Sequence, residues 1–271
     1  MPNSTKPSVV FITGATSGLG LAMADHFSKQ GWIVYGSSRQ PDLHQTSFPL
    51  IQLDLRQAKS ITAAIQQVEQ DTGRLDVLIN NAGVGIAGPL EELPDNYLTE
   101  VLQTNLLGLA RTMQAVLPIM RRQGRGKIIN ISSVASEVAL PYRSIYSASK
   151  AAVNRMTESL RMEIAPFGIQ ATCVLAGDMR TPINQHRLTL ESDPASAYAD
   201  IFSRAARAMN EEVDKGVAPE RVARRIEQLA RKKHLGKFYT VGKPLQRAAV
   251  YLARILPGNV FEQLLRTYSK V

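Results

Sequence analysis

Tyr146 and Lys150 stand four residues apart in Tyr146-Ser-Ala-Ser-Lys150. On a helix that spacing puts both side chains on one face. A phenol with a reference pKa of about 10 is a poor base near neutrality, and an ammonium within about 4–6 Å favours its phenolate. Such a pair can give a proton and take it back. Ser133 ends an apolar run 13 residues earlier. From there its hydroxyl could hydrogen-bond a substrate carbonyl oxygen and stabilise charge developing on it. Near the N-terminus, Thr13-Gly14-Ala15-Thr16-Ser17-Gly18-Leu19-Gly20 separates an apolar run from an amphipathic one. A glycine loop at a strand-to-helix junction offers backbone N–H groups and a helix dipole to a pyrophosphate. A second apolar run ends in Tyr35-Gly-Ser-Ser-Arg39, with no Asp or Glu before Asp42. A dinucleotide with a free ribose 2′-hydroxyl wants an acid there, whereas a cation accommodates a 2′-phosphate. Ser38 and Arg39 therefore predict NADP(H) in preference to NAD(H).

The elements that must position these groups alternate between two hydrophobic periods. Apolar runs at Val9–Thr13, Trp32–Tyr35, Leu50–Leu53, Leu75–Asn80, Lys127–Ser132 and Ile169–Leu175 read as buried strands. Between them, helices are expected over Ser17–Gln30, Arg56–Thr72, about Asp95 to Arg122, and from Ser144. Asp95 is the expected N-cap of the long helix, Pro118 should kink it and Gly124 should stop it. This alternation predicts an α/β fold, a single doubly wound Rossmann-type parallel sheet with helices on both faces. The expected catalytic and NADP-binding domain spans 8–242, including a substrate lid at about 182–215. A final strand at Phe238–Gly242 closes it, and a C-terminal amphipathic helical extension occupies 243–271.

The order and spacing of these motifs resemble the short-chain dehydrogenase/reductase family, over roughly residues 8–182. The family's G-x-x-x-G-x-G loop is matched by Gly14, Gly18 and Gly20, its NNAG element by Asn80-Asn81-Ala82-Gly83, and its Y-x-x-x-K by Tyr146 and Lys150. The resemblance implies a catalytic set of Asn105, Ser133, Tyr146 and Lys150, with Asn105 holding a water that passes protons to Lys150. It also implies a dinucleotide contacted by Gly14, Thr16, Ser17, Gly18, Leu19 and Gly20, with Asp54 and Leu55 at the adenine. Asn81, Ala82, Gly83, Tyr146, Lys150, Gly177, Met179 and Thr181 are the remaining expected contacts. Thr181 would meet the nicotinamide carboxamide. Two positions depart from the family pattern: Ala176 precedes Gly177 where a proline is usual, and Ser17 stands where many NADP-preferring members carry Lys or Arg. The implied activity interconverts a carbonyl and a secondary or primary alcohol by hydride transfer, and family habit implies a homodimer or homotetramer. A non-catalytic redox sensor is the alternative; it would not need Ser133, Tyr146 and Lys150 together.

Composition agrees with a folded globular chain: 271 residues, 44% hydrophobic and 20% charged. The single Cys173 lies in an apolar run and reads as a reduced, buried thiol. The sequence contains neither a signal-peptide core nor an apolar run near the ~20 residues of a membrane span, so a cytoplasmic location is expected. The sequons at Asn3 and Asn130 read as chance. His26, His44, His186 and His234 are scattered, so no metal site is expected. Of the net charge of +9, residues 182–271 carry +7, with 16 Lys and Arg against 9 Asp and Glu. No nucleic-acid motif accompanies that excess. Ile183, Leu188, Leu190, Tyr198, Ile201 and Phe202 in the lid, with Val138, Ala139, Leu140 and Tyr142, suit a lipophilic substrate. The tail resembles the extension found in the branch related to 17β-hydroxysteroid and retinol dehydrogenases. Three roles are open to it: packing on its own domain or a partner copy, closing over the substrate, or lying on an anionic membrane surface through Arg247, Arg254, Arg266 and Lys270.

Overall fold

The computed structural model describes residues 7–182, 187–191 and 193–271. Asn3 and, from the expected lid, Ile183 and His186 lie outside them. Seven strands form one parallel sheet: β1 (Val9–Ile12), β2 (Ile33–Ser38), β3 (Leu50–Gln52), β4 (Val77–Asn80), β6 (Gly126–Ser133), β7 (Ile169–Ala176) and β9 (Phe238–Val241). Their spatial order is β3-β2-β1-β4-β6-β7-β9. The chain therefore winds outward from β1 in one direction and from β4 in the other, leaving a crevice where the order reverses.

Period-two alternation divides the core. Val9 and Phe11 of β1 pack on one face of the sheet and Val10 and Ile12 on the other. The first face is covered by α2 (Ala58–Thr72), α4 (Leu109–Gln123) and α5 (Ser144–Ile164), the second by α1 (Gly18–Lys29) and α7 (Pro219–Arg231). In α2 the buried residues are Ile61, Ala64, Ile65 and Val68, one helical stripe. Cys173 is buried among that first-face core, and burial pushes its thiol up to about 11.

Several expectations are corrected. The long helix is three segments: α3 (Asp95–Leu102), a π-helical stretch over Gln103–Gly108, and α4. The chain passes through Pro118 within α4, so the change of winding falls at Asn105 rather than at the proline. Asp95 is the first helical residue of α3 and Pro94 its N-cap, because proline's fixed φ suits the entry while the acid favours the first turn. Gly124 ends α4 in left-handed backbone (φ 65°), as expected. The second strand begins one residue later than expected and runs on to Ser38, which carries Arg39 to the sheet edge. The expected lid holds α6 (Ala199–Asp214), and Leu188–Thr189 forms β8, paired in parallel with β5 (Ile86–Ala87). The tail folds into α8 (Pro244–Ile255) and α9 (Gly258–Ser269), broken at Pro257.

A buried polar ladder crosses the first face. Thr112 Oγ1 donates to Asn80 Oδ1 (2.7 Å), Asn80 Nδ2 to Asn130 Oδ1 (2.9 Å), and Asn130 Nδ2 to Thr157 Oγ1 (2.8 Å). The ladder ties α4, β4, β6 and α5 together, and Asn130, fully buried, is its centre. Replacing it strands the groups on both sides without partners. Asn130→Leu is expected to lower unfolding free energy by about 1–3 kcal/mol, read as a lower urea midpoint; an unchanged midpoint would show that the ladder is dispensable.

Candidate active site

The crevice between the ends of β1 and β4 opens into a cavity of about 920 Å³ along the carboxyl edge of the sheet. Its floor is the glycine loop. Ser17 is the N-cap of α1 and its side chain makes no capping hydrogen bond, so the positive end of α1 faces the cavity. Gly20 cannot be replaced without rearrangement, since a Cβ there would lie 1.9 Å from the Gly14 carbonyl oxygen and 2.6 Å from Asn81 Nδ2. Asn81 explains the closeness. Its Nδ2 donates to the carbonyl oxygens of Thr13 and Gly14 (3.0 Å each), while Thr13 Oγ1 accepts from the Asn81 and Ala82 amides. The β1 and β4 loops are thereby knitted into one wall.

At the far end of the crevice, Ser38 and Arg39 line the cavity beside Gln40 and His44, and Asp54 and Leu55 line it from the loop after β3. Asp54 is paired with Arg56 (2.7 Å). Hydrogen bonding from Arg56 holds the Asp54 carboxyl below its ordinary range, and the charge on Arg39 acts in the same direction. Arg39 thus brings positive charge to this end of the cavity, beside the Asp54–Arg56 pair. These features fit a dinucleotide: a helix start open to the cavity and a loop where a Cβ would collide with backbone.

Tyr146 and Ser133 line the same cavity, with Lys150 at its wall. Lys150 is buried at 5% exposure, and its Nζ donates to the Ile131 carbonyl (2.9 Å) and lies 5.9 Å from the Tyr146 ring centre. The Ser133 hydroxyl accepts from the Ala135 amide (3.1 Å), which leaves its own proton available for an oxygen in the cavity. Asn105 does not line the cavity; it backs it from the π-helical stretch, fully buried. Its Oδ1 accepts from the Val84 amide (2.7 Å), and its Nδ2 donates to the Val84 carbonyl (2.9 Å) and Ser149 Oγ (3.3 Å). Ser149 Oγ in turn donates to the Tyr146 carbonyl (2.7 Å). Asn105 therefore joins the loop after β4 to the helix turn that carries Tyr146. A Cβ built on Gly83 would sit 3.1 Å from Asn105 Oδ1 and 3.5 Å from Lys150 Nζ, so the bare glycine keeps open the space between them. Apart from Asn105, every expected site residue lines this one cavity: Gly14, Thr16, Ser17, Gly18, Leu19, Gly20, Ser38, Arg39, Asp54, Leu55, Asn81, Ala82, Gly83, Ser133, Tyr146, Lys150, Gly177, Met179 and Thr181.

The roof comes from the tail. Leu245, Gln246, Ala249 and Leu252 of α8 and Phe261, Leu264, Leu265 and Tyr268 of α9 line the cavity opposite Val138, Leu140 and Val213. Amphipathic spacing marks α8 and α9 as helices that cover something; nothing in the sequence says what. Sequence reasoning also missed His44, Arg56, Glu100 and Thr104 on the cavity wall, none of which carries a motif. The outer side of the tail exposes Tyr251 and Ile255, and no described helix is long and apolar enough to cross a membrane. Among the described residues, no cluster of His, Cys, Asp and Glu could hold a metal ion.

Three polar attachments hold the roof. Lys243 Nζ pairs with Glu212 Oε2 (2.9 Å), which also accepts from the Tyr268 hydroxyl (3.1 Å). Arg254 pairs with Glu137 (2.8 Å), and Gln246 bonds Asp178 through both its amide oxygen and nitrogen. The Lys243 hydrogen bond, followed by that of Tyr268, holds the Glu212 carboxyl below the ordinary 4.5. A carboxyl lowered in the folded state stabilises it above the unfolded value, and the contribution is lost as pH falls through the folded one. Pepsin cleavage within α8 and α9 should therefore rise, relative to a Glu212→Gln variant, only as pH drops below 4.5. Equal pH profiles for the two proteins would show that Glu212 does not hold the roof.

A family model described as short chain dehydrogenase matches residues 8–191. A 3-ketodihydrosphingosine reductase of Bacteroides thetaiotaomicron is 36% identical, covering 98% of this chain and 99% of that one. Human 17-beta-hydroxysteroid dehydrogenase type 1 is 37% identical over 64% of this chain and 57% of its own length. Among solved structures, a short-chain dehydrogenase from Streptomyces avermitilis superposes with a TM-score of 0.79 at 27% identity, covering 100% of this chain and 98% of that one. A Burkholderia phymatum short chain dehydrogenase/reductase in complex with NAD gives 0.78 at 26%, covering 91% and 92%. ElxO with NADP bound gives 0.71 at 26%, covering 87% and 97%.

Proposed function

Because this chain belongs to the short chain dehydrogenase family of oxidoreductases, with relatives among the steroid dehydrogenases, we propose that it is an NADP(H)-dependent reductase of lipophilic ketones. One observation carries the reading: Tyr146, Ser133 and buried Lys150 open onto the same cavity as the uncapped glycine loop. Solved relatives hold NAD in one case and NADP in another, so the cofactor assignment rests on this chain's own Ser38 and Arg39. NADP(H) supplies or accepts the hydride. Tyr146 gives its hydroxyl proton to the carbonyl oxygen, and Ser133, whose proton is free, donates a hydrogen bond to the same oxygen. Lys150, fixed by Ile131, keeps its ammonium against the Tyr146 ring, where it favours the tyrosinate left behind. Gly83, bare of a side chain, lets Asn105 and Lys150 come close to the same stretch of backbone. The roof of Leu245, Ala249, Leu252, Phe261 and Leu264 excludes water and suits a hydrocarbon chain. The Bacteroides relative, a reductase named for a 3-keto compound, supports the carbonyl-to-alcohol direction.

NADPH consumption with a panel of long-chain ketones tests the activity. Tyr146→Phe is expected to lose on the order of a hundredfold or more in kcat while still quenching or enhancing NADPH fluorescence on binding. Turnover retained in that variant would remove Tyr146 from the chemistry. If no ketone is reduced although NADPH binds, the sensor reading gains. Arg39→Asp is expected to move the kcat/KM preference from NADPH toward NADH by about tenfold or more, since a carboxylate repels the 2′-phosphate. An unchanged preference would overturn the cofactor assignment.

A further inference from the structure

The loop that follows β7 runs along the cavity from its reactive end to the glycine loop. Ala176, the last residue of β7, pairs in register with Ser133, and a Cβ on Gly18 would lie 3.2 Å from Thr181 Cβ. Between those two points Gly177, Asp178, Met179 and Thr181 line the cavity. A dinucleotide with its pyrophosphate on the glycine loop and its reactive ring beside Tyr146 lies along this stretch. The backbone here is tied on two sides. The Gly177 amide donates to the Val241 carbonyl (2.7 Å), and Val217, between α6 and α7, accepts from the Arg180 amide (3.1 Å) and donates to the Asp178 carbonyl (3.0 Å). The tail supplies a third tie. Gln246 Oε1 accepts from the amides of Asp178 (3.2 Å) and Lys243 (3.3 Å), while its Nε2 donates to Asp178 Oδ2. The contact to Lys243 is an ordinary capping bond for α8. The two bonds to Asp178 are not needed for capping. Two glycines make room for them: a Cβ on Gly177 would lie 2.2 Å from Gln246 Oε1, and one on Gly242 would lie 3.0 Å from the same atom. Ala176, unlike a proline, does not fix its own φ at this exit, so the restraint comes from outside the loop.

We propose that Gln246 is a positioning residue, which holds the loop after β7 against the nicotinamide end of the bound dinucleotide. The tail then orients the cofactor as well as covering the substrate. This rests on the dinucleotide reading above and adds the residue that aligns its reactive end. Backbone bonds at Val241 and Val217 fix the borders of the loop, but the amide and carboxylate of Asp178 itself are taken by Gln246. Without that side chain Asp178 turns to water, and Met179 and Thr181, the contacts expected at the ring, move with it. The adenosine end is lined by Ser38, Arg39, Asp54 and Leu55, from other loops, and stays in place.

The test separates the two ends of the cofactor. The full-length protein is titrated calorimetrically with NADP⁺ and with 2′-phospho-ADP-ribose, which lacks the nicotinamide. Should NAD be the tighter ligand, NAD and ADP-ribose take their places. Gln246→Ala is expected to weaken NADP⁺ binding by about fivefold or more, and to leave 2′-phospho-ADP-ribose within about twofold of wild type. Gln246→Glu sets a second carboxylate against Asp178 and should weaken NADP⁺ at least as much. Adding Asp178→Asn to Gln246→Glu exchanges donor and acceptor, and should restore most of the affinity for NADP⁺. A general loosening of the tail would not be cured by that exchange. Equal weakening of both ligands, or an unchanged NADP⁺ affinity in Gln246→Ala, overturns the proposal while leaving the dinucleotide reading intact. If Gln246→Ala fails to fold, Gln246→Glu and the exchanged pair decide, and a pair that restores nothing overturns it. A wild-type protein that binds none of these ligands removes the dinucleotide reading and this proposal with it.

Discussion

The buried hydrogen-bond ladder from Thr112 through Asn80 and Asn130 to Thr157 is the constraint on which the site depends. Apolar packing alone would allow α5 to slide along the sheet at little cost, because interdigitated aliphatic side chains tolerate alternative registers better than polar pairs do. A fully enclosed amide has few satisfactory arrangements. Once Asn130 has bonded both Asn80 and Thr157, the start of α5 is fixed relative to the ends of β4 and β6. Lys150 then reaches the Ile131 carbonyl, and Tyr146 and Ser133 open onto one cavity. Uncommon polar groups in the core thus convert a generic sandwich of helices and strands into a positioned site.

The loops at the carboxyl edge extend the same logic. Asn81 bonds two carbonyls of the glycine loop, and Asn105 bonds both backbone groups of Val84. Each amide side chain stands in for a strand neighbour where the backbone has left the sheet. The π-helical stretch at Gln103–Gly108 presents Asn105 to Val84 in the interior, while α3 and α4 continue on either side. Polar side chains here work as backbone splints, leaving Ser133, Tyr146 and the start of α1 facing the cavity.

The sheet was legible in the sequence because its strands are buried on both faces and so read as continuous apolar runs, and because α2 shows its stripe without ambiguity. That the motif residues share one cavity was legible because the motifs lie at strand ends and on one helix, where local spacing determines direction. The missed features depend on contacts distant in the chain. The β5–β8 pair joins Ile86 to Leu188, each strand only two residues long, too short to leave a period. The winding change at Asn105 reflects what Val84 requires, and Pro118 was the more visible signal although the helix passes through it. The tail declared itself helical, yet its placement over the cavity is set by Glu212, Asp178 and Glu137, whose partners are more than thirty residues away.

Chain order gives the roof a further significance. Every strand of the sheet, the glycine loop and Lys150 precede α8 and α9, so the nucleotide groove is complete in a nascent chain that still lacks its cover. A polypeptide emerging from the ribosome thus holds every strand of the groove before the apolar cover over it exists. Fusions or cleavages beyond Val241 would accordingly disturb that cover and the Asp178 contact of Gln246 while leaving the sheet and the glycine loop intact.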